Sequence, residues 1–193
     1  MTKKGTLMVV SGPAGVGKGT IVKLACEKAK GNIHLSISAT TRNPRPIDKE
    51  GVTYYFKTKE EFQSMIEHNE VLEWAEYVGN YYGTPRKPVE EALSKGVDVI
   101  LEIEVQGAMQ IKKNFPGAVL TFVAPPSREE LENRLRGRGT ETEEQILSRL
   151  KTAEGELSRM NEYDYIVVND QIEQASEDLL TILRAEKLKQ KFE

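Results

Sequence analysis

The chain of 193 residues is poor in cysteine and histidine. Cys26 is the only cysteine, which excludes an internal disulfide and any zinc site built from cysteines, and fits a reducing compartment. Neither His34 nor His68 has companions of metal-ligand type in the sequence, so we expect both to be structural or solvated. Disulfide-stapled scaffolds and cysteine-based metal sites are therefore excluded.

A strong charge of one sign and long apolar runs are also missing. With 27 basic and 30 acidic side chains the formal net charge is −3, which offers no general attraction to a nucleic acid polymer or an anionic membrane. No stretch approaches about 18 consecutive apolar residues, and residues 1–5 lead into the first strand without an apolar signal segment. We therefore expect a cytoplasmic protein with no membrane or nucleic acid polymer as partner, in which any affinity for phosphate is local.

The sequence does contain a glycine-rich loop directly after the apolar segment 7–11. The residues of this loop are Gly12, Pro13, Ala14, Gly15, Val16, Gly17, Lys18, Gly19 and Thr20. Glycines let the backbone wrap closely around phosphates, and a helix starting near Lys18 would present free N–H groups and its positive dipole end. Lys18 would supply a cation for the β and γ oxygens, so the loop predicts binding of a polyphosphate such as a nucleotide.

One position departs from the usual form of such a loop. The usual loop ends in Gly-Lys followed by Ser or Thr, whereas Gly19 here separates Lys18 from Thr20. A shift of one residue turns a side chain by about 100° around a helix, so Thr20 would meet Mg²⁺ either directly or through a water molecule. Gly-Lys-Gly-Thr loops also occur in nucleoside monophosphate kinases, so the departure weakens the metal assignment more than the nucleotide one.

Short apolar runs alternate with longer helical patterns along the chain. The runs predicted as strands are 7–10, 34–38, 97–103, 119–123 and 165–168. This alternation predicts an α/β fold with a doubly wound, mostly parallel sheet of about five strands, in which functional groups gather at the carboxyl ends of the strands.

Two segments differ from this alternation and are interpreted as an inserted lobe and a lid within a single domain. Residues 38–87 have the pattern of a mixed α/β lobe, with a strand at 54–56, a helix near 59–68 and a hairpin turning through Gly79. Residues 127–153 contain two helix starts with capping-box spacing, at Ser127 and Thr142, around a glycine-containing connection that permits a hinge. The core is then formed by residues 1–37, 88–126 and 154–193.

Charged pairs follow two of the predicted strands. Arg42 and Arg45 lie three residues apart and are held by prolines, and their planar guanidinium groups suit the oxygens of a phosphate monoester. An arbitrary pair of this kind would more often be solvated, but its position at a strand end favours binding. Glu102 and Glu104 end a buried strand, where carboxylates are costly without a cation or donor, so we expect them to orient Mg²⁺, water or substrate.

Four motifs in order make the chain resemble the guanylate kinase family over nearly its whole length. They are Ser38-Ala39-Thr40-Thr41-Arg42-Asn43-Pro44-Arg45, Glu73-Trp74-Ala75, Gly79-Asn80-Tyr81-Tyr82-Gly83-Thr84 and Arg136-Gly137-Arg138-Gly139-Thr140-Glu141-Thr142. The resemblance implies a Mg²⁺-dependent transfer of the ATP γ-phosphoryl group to GMP in purine nucleotide metabolism, with dGMP as a further acceptor. It leaves a monomer and a homo-oligomer open.

The resemblance also implies roles for individual residues. The GMP phosphate would be bound by Arg42, Arg45, Tyr54 and Tyr82. The guanine would face Ser38, Glu73 and Thr84, with Glu102 and Glu104 also on the substrate side. The ATP phosphates would meet Arg134, Arg138 and Arg149 of the lid, and Asn169 would lie near the donor base, although capping of the next helix explains Asn169 nearly as well.

Among these residues, the transferring group itself would be neutralised or held in line by Lys18, Arg42, Arg138 and Arg149. Asp48 is left out of the predicted site, because the family commonly has Gly-Glu where this chain has Ile47-Asp48.

Two other functions remain as alternatives. A guanylate-kinase-like interaction module would keep the lobe and bind protein ligands without catalysis, but such modules typically lack an intact phosphate loop. A kinase of similar architecture could act on AMP or a sugar phosphate. Glu73 favours guanine, because an ionised carboxylate accepts hydrogen bonds from guanine N1 and N2, whereas adenine presents the opposite pattern on that edge.

Overall fold

The computed structural model describes residues 4–137, 139 and 142–189. In chain order its elements are β1 (Leu7–Ser11), α1 (Lys18–Lys28), β2 (Ile33–Leu35), β3 (Ala39–Thr40), β4 (Tyr55–Phe56), α2 (Lys59–Glu67), β5 (Val71–Tyr77), β6 (Asn80–Pro85), α3 (Arg86–Ser94), β7 (Asp98–Glu102), α4 (Val105–Asn114), β8 (Val119–Ala124), α5 (Arg128–Arg136), α6 (Glu143–Leu157), a short 3-10 helix (Met160–Glu162), β9 (Tyr165–Val168) and α7 (Ile172–Leu188). None of the helices within these ranges is both long enough and apolar enough to cross a bilayer.

Five parallel strands form the main sheet in the order β2-β7-β1-β8-β9. The predicted five-stranded α/β sheet is therefore confirmed. The second strand is shorter than predicted: it runs from Ile33 to Leu35, the Ser36 N–H still donates to the Ile100 carbonyl of β7, and the chain then continues to β3 of the lobe. In the register of the central strands, Val10 lies opposite Glu102 and Ser11 lies opposite Phe122. The loop after β1 and the acidic end of β7 consequently leave the sheet side by side.

Each face of the main sheet is covered by a separate layer of helices. On one face Met8 and Val10 of β1 pack with Ile21 of α1 and with α7. On the other face Val9 packs with Val89 of α3 and with α4. Because successive side chains of β1 point to opposite faces, this strand packs against both helix layers, as expected for a strand buried on both faces.

The inserted segment builds a second, mixed sheet in the order β4-β3-β6-β5. Strand β3 pairs in parallel with β4 and antiparallel with β6, and β5 pairs antiparallel with β6. Helix α2 begins with a full capping box between Thr58 and Glu61, and its buried Phe62 packs against Ala39 and Val71. A mixed α/β lobe was predicted here, and the observed mixed sheet agrees.

The two lid helices begin where capping residues were predicted. Thr142 and Gln145 form both arms of a capping box at the start of α6, whereas Ser127 Oγ accepts from the Glu130 N–H but the Glu130 carboxylate bonds Arg134 instead. The helices share a small apolar core that includes Leu131 and Leu150. In the connection between α5 and α6, Arg138, Thr140 and Glu141 lie outside the described residues.

The hairpin between β5 and β6 carries backbone strain. Its two central residues, Val78 and Gly79, have φ angles of 50° and 71°, the pattern of a type I′ turn. Glycine adopts such angles freely, but a β-branched residue does so at a cost of about 1–2 kcal/mol. The Val78 side chain is 80% exposed, so it contributes little packing in return.

Val78→Asn should therefore raise the free energy of unfolding by about 1 kcal/mol, because asparagine tolerates the left-handed conformation. Chemical denaturation of the two proteins measures the difference. Val78→Thr is the matched control, since it also introduces an uncharged polar group but stays β-branched, and it should give no gain. Equal stability of the Asn and Thr variants would show that backbone strain at this turn is not the cause.

Candidate functional site

A cleft of about 530 Å³ opens at the carboxyl ends of the central strands, between the main sheet and the lobe. Its wall includes five residues that the sequence assigned to the site, namely Lys18, Ser38, Tyr54, Glu102 and Glu104. Ser38 also accepts a hydrogen bond of 2.9 Å at its carbonyl from the Tyr55 N–H. Groups from the phosphate loop, the end of β7 and the lobe thus face one common space.

The phosphate loop needs glycine at two tightly packed positions. Gly12 has a φ of 145°, and a Cβ there would lie 2.2 Å from the carbonyl oxygen of Val123. Gly17 precedes α1 with a φ of 93°, and a Cβ there would lie 2.6 Å from Asn169 Nδ2. Any side chain at either position would push the loop away from its supports, so these glycines fix the loop's shape.

Lys18 lies inside this loop and is only 8% exposed. Its ammonium group donates to the carbonyl oxygens of Gly12 and Pro13, the latter at 3.2 Å. The loop therefore holds a buried cation at the start of α1. Thr20, two residues later, is exposed in the first turn of the helix.

The outer side of the loop is braced through the carbonyl of Val16. It accepts from Asn169 Nδ2 at 2.8 Å and from Arg134 Nη1 at 3.4 Å, and Arg134 also donates to the Asn169 carbonyl at 2.9 Å. Glu130 holds the other side of the Arg134 guanidinium at 2.7 Å. Arg134 and Asn169 were predicted to meet the donor nucleotide, and here they join α5 and the end of β9 to the phosphate loop.

Asn169 has one further polar atom in this brace. The residue is 3% exposed, and its Oδ1 is buried with no hydrogen-bond partner in the described part of the chain.

Of the remaining lid arginines, Arg149 is half-buried on α6, whereas Arg138 falls outside the described residues.

Carboxylates gather on the opposite side of the loop. A Cβ at Gly19 would lie 3.3 Å from Glu102 Oε1, so this carboxylate lies against the first turn of α1. Burial raises the pKa of Glu102, the positive charge of Lys18 opposes the rise and the charge of Glu104 adds to it. Within the described ranges, no three acidic, histidine or cysteine side chains are grouped closely enough to hold a metal ion by themselves.

Glu156 is a residue at this site that the sequence analysis missed. Burial raises its pKa to about 7, the charge of Glu104 adds to the shift and that of Lys18 opposes it. Glu156 lies two helical turns after Arg149 on α6, so helical spacing from that arginine could have indicated it. Helix α6 therefore carries an acid, Glu156, that is close enough to Lys18 and Glu104 to be affected by their charges.

In the lobe, Arg42 lies among two tyrosines and an acid. Its guanidinium carbon is 5.4 Å from the centre of the Tyr54 ring, and the rings of Tyr54 and Tyr82 are 6.1 Å apart. Asp48 Oδ2 accepts from Arg42 Nη2 at 2.8 Å and from the backbone N–H of Arg45 at 2.7 Å. Three predicted phosphate ligands are thus brought together, and Arg45 joins them through its backbone.

Asp48 therefore belongs to this cluster, although the sequence analysis left it out. The hydrogen bond from the Arg45 backbone, followed by that from Arg42, lowers its pKa. Its side chain is 7% exposed and that of Arg42 is 15% exposed. The missed signal was the spacing, because a carboxylate three residues after Arg45 can close a turn onto that residue's N–H.

Glu73 is the most deeply buried acidic residue of the lobe, and its carboxylate lies against helix α4. It is 5% exposed, and its Oε1 accepts from Thr84 Oγ1 at 2.7 Å. Burial raises its pKa to about 7, against the opposing effect of the Thr84 hydrogen bonds. Alternation would place Glu73 opposite its neighbours, but Val71, Leu72 and Glu73 are all buried because the pairing of β5 with β6 shifts by one residue at this point.

Comparison with known proteins points to a single family. The profile of the guanylate kinase family matches residues 4–186. The chain is 52% identical to the guanylate kinase of Oceanobacillus iheyensis and 54% identical to that of Desulfitobacterium hafniense, in each case over 97% of this chain and 90% or 93% of the relative. A crystal structure of guanylate kinase from Anaplasma phagocytophilum superposes with a TM-score of 0.79 at 38% identity, covering 97% of this chain and 88% of that one.

Proposed function

The chain belongs to the guanylate kinase family and transfers the γ-phosphoryl group of ATP to GMP, and we propose that this transfer takes place in the cleft between the main sheet and the lobe. The observation that carries the proposal is that the buried cation of the phosphate loop, Lys18, lines the same cleft as Ser38 and Tyr54 of the lobe. A donor held by the loop and an acceptor held by the lobe would meet there. Transfer then needs no covalent enzyme intermediate.

On the donor side, we assign the β and γ phosphates of ATP to the phosphate loop. The N-terminus of α1 offers backbone N–H groups, and Lys18 can turn its ammonium group from the loop carbonyls of Gly12 and Pro13 to phosphate oxygens. Arg149 of α6, together with Arg138, adds positive charge when the lid closes. These cations stabilise the charge that spreads over the transferring group.

Mg²⁺ is proposed as the cofactor, and the residues at the loop fit it. Mg²⁺ in kinases is held by one or two protein oxygens together with substrate phosphates. Thr20 offers a hydroxyl in the first turn of α1, directly or through water, and the Glu102 carboxylate lies against the same turn. When bound, the ion would neutralise charge on the donor phosphates.

On the acceptor side, we assign the GMP phosphate to the cluster around Arg42. Its guanidinium group and the hydroxyls of Tyr54 and Tyr82 are donors that suit phosphate oxygens. Asp48 holds Arg42 through its side chain and Arg45 through its backbone. This acid therefore orders the cluster before the acceptor arrives, which lowers the entropic cost of binding.

Guanine recognition is assigned to Glu73, with Thr84 and Ser38. An ionised Glu73 would accept hydrogen bonds from N1 and N2 of guanine, whereas adenine has an acceptor at N1 and no amino group at C2 to donate to this carboxylate. The buried pair of Glu73 and Thr84 supports this assignment. The same recognition extends to dGMP, because it depends on the base and not on the ribose 2′-hydroxyl.

The proposed acceptor preference can be tested by measuring ADP release with GMP, dGMP, AMP, UMP and ribose phosphates. We expect the highest kcat/KM with GMP, a lower value with dGMP and little transfer to the others, because only guanine matches Glu73 and Thr84. Strong transfer to AMP with none to GMP would contradict the assignment of the lobe.

Asp48→Ala should raise the KM for GMP by about tenfold and leave that for ATP nearly unchanged, because Arg42 and Arg45 lose the group that orders them. Asp48→Asn is the matched control, since it can still accept from the Arg45 N–H, and we expect a smaller rise. A lower KM for GMP in the alanine variant would instead mean that Asp48 competes with the phosphate for Arg42.

Glu73→Gln should lower the ratio of kcat/KM for GMP to that for AMP by about 30- to 1000-fold, because it removes a charge-assisted hydrogen bond and leaves donors unpaired. In the parent protein this ratio should rise as the pH passes through about 7, where Glu73 ionises. The ratio cancels the titration of the acceptor phosphate, which both nucleotides share. A pH dependence that persists in the Gln variant would assign the titration to another group.

A further inference from the structure

Strand β5 is an edge strand of the lobe sheet, yet part of its open edge is occupied by a side chain of the core. Gln110, on α4, accepts from the Trp74 N–H through Oε1 at 3.2 Å and donates from Nε2 to the Trp74 carbonyl at 2.7 Å. Its amide group thus pairs with Trp74 as a peptide group of a further strand would. This two-point contact joins residues 36 positions apart in the chain.

The same helix contacts the neighbouring residue of β5. Gly107 precedes Gln110 by three residues and therefore shares its face of α4. A Cβ at Gly107 would lie 2.4 Å from Glu73 Oε2, so the helix backbone can come this close to the carboxylate only because residue 107 has no side chain. Helix α4 consequently touches two consecutive residues of β5, one at its side chain and one at its backbone.

This contact lies next to an irregularity in the pairing of β5 with β6. Val71 pairs with Pro85 and Trp74 with Gly83, so β5 has one more residue than β6 across this interval, and Glu73 lies within it. A bulge interrupts the ladder and can aim a side chain to a new direction, but it does not by itself fix the register. The Gln110 side chain makes two hydrogen bonds to the backbone of Trp74, directly after the bulge.

We propose that Gln110 is a positioning residue for guanine recognition: by holding Trp74 it keeps the bulge in register and the Glu73 carboxylate in place between Thr84 and Gly107. This inference rests on the proposed role of Glu73. Gln110 acts through β5 and does not touch the nucleotide. Loss of the clamp should therefore weaken discrimination between bases and leave the ATP site unaffected.

Four variants test the proposal: Gln110→Met, Glu73→Gln, the two combined, and Gln63→Met as a matched control. Methionine keeps the length of the side chain but makes no hydrogen bonds, and Gln63 is an exposed glutamine on α2 of the lobe. The quantities to measure are kcat/KM for GMP and for AMP and the KM for ATP. Gln110→Met should lower the GMP/AMP ratio by about 10- to 100-fold with an ATP KM within about twofold of the parent.

The double variant separates positioning from a general loss of structure. If Gln110 acts through Glu73, the combined variant should lower the ratio no further than Glu73→Gln alone, within about twofold. If the two substitutions lowered the GMP/AMP ratio by factors that multiply in the double variant, the proposal would be overturned. An unchanged ratio in Gln110→Met would overturn it as well. An unchanged GMP/AMP ratio in Glu73→Gln would overturn the role of Glu73 itself and the inference with it. A lower ratio in Glu73→Gln together with a parental ratio in Gln110→Met would overturn only the role of Gln110.

Trp74 also gives a readout that does not depend on turnover, because it is the only tryptophan of the chain. Titration of Trp74 fluorescence with GMP should give a Kd at least about tenfold weaker in Gln110→Met and unchanged in Gln63→Met. Should the methionine variant fail to fold, Gln110→Glu is the replacement, because it keeps the acceptor for the Trp74 N–H and loses only the donor. It should also lower the GMP/AMP ratio. A folded Gln110→Glu variant with parental GMP affinity and ratio would overturn the proposal.

Discussion

The parallel pairing of β1 with β7 and β8 is the constraint on which the rest of the site depends. Because Val10 lies opposite Glu102 and Ser11 opposite Phe122, the phosphate loop and the acidic end of β7 leave the sheet at the same level. Helix α1 can then begin beside the Glu102 carboxylate, and α4 can begin just beyond it. The lobe is attached to this edge by α4, so its recognition groups inherit their position from the central sheet.

A second constraint is the burial of charge. Lys18 and Glu73 are buried and Glu102 is half-buried, and a buried charge is costly unless a partner compensates. Lys18 is compensated by loop carbonyls, and Glu73 by a threonine hydroxyl. Burial raises the pKa of Glu73 to about 7, and in its proposed role this carboxylate would accept from the N1 and N2 donors of guanine.

Much of the fold follows from local signals in the sequence. The five strands could be predicted because buried parallel strands are short and continuously apolar, and the phosphate loop because glycine spacing and a following helix are both required for its shape. The capping residues Ser127 and Thr142 also mark helix starts by local hydrogen bonding. Such features depend on residues close together in the chain.

Features that depend on distant residues could not be predicted in the same way. In a regularly alternating strand Glu73 would point away from the side of its buried neighbour Leu72, whereas the unequal pairing of β5 with β6 leaves both side chains buried. Asp48 was left out because the family pattern differs at this position, and its contacts arise from a turn that brings it onto Arg42 and the Arg45 N–H. Arg134 and Asn169 were assigned to the nucleotide by resemblance, while their contacts with Val16 are formed across the fold and have no signature in the sequence.

The shared carbonyl of Val16 has a consequence for how the two halves of the donor site communicate. One peptide group of the phosphate loop is bonded to α5 and to the end of β9, so the loop cannot reorient without disturbing the lid. Under the proposed closure of α5 and α6 over the donor, thermodynamic reciprocity would follow: the factor by which a bound polyphosphate favours closure is the factor by which closure raises the affinity for that polyphosphate. On that proposal, the position of the two helices would depend on whether the donor is bound.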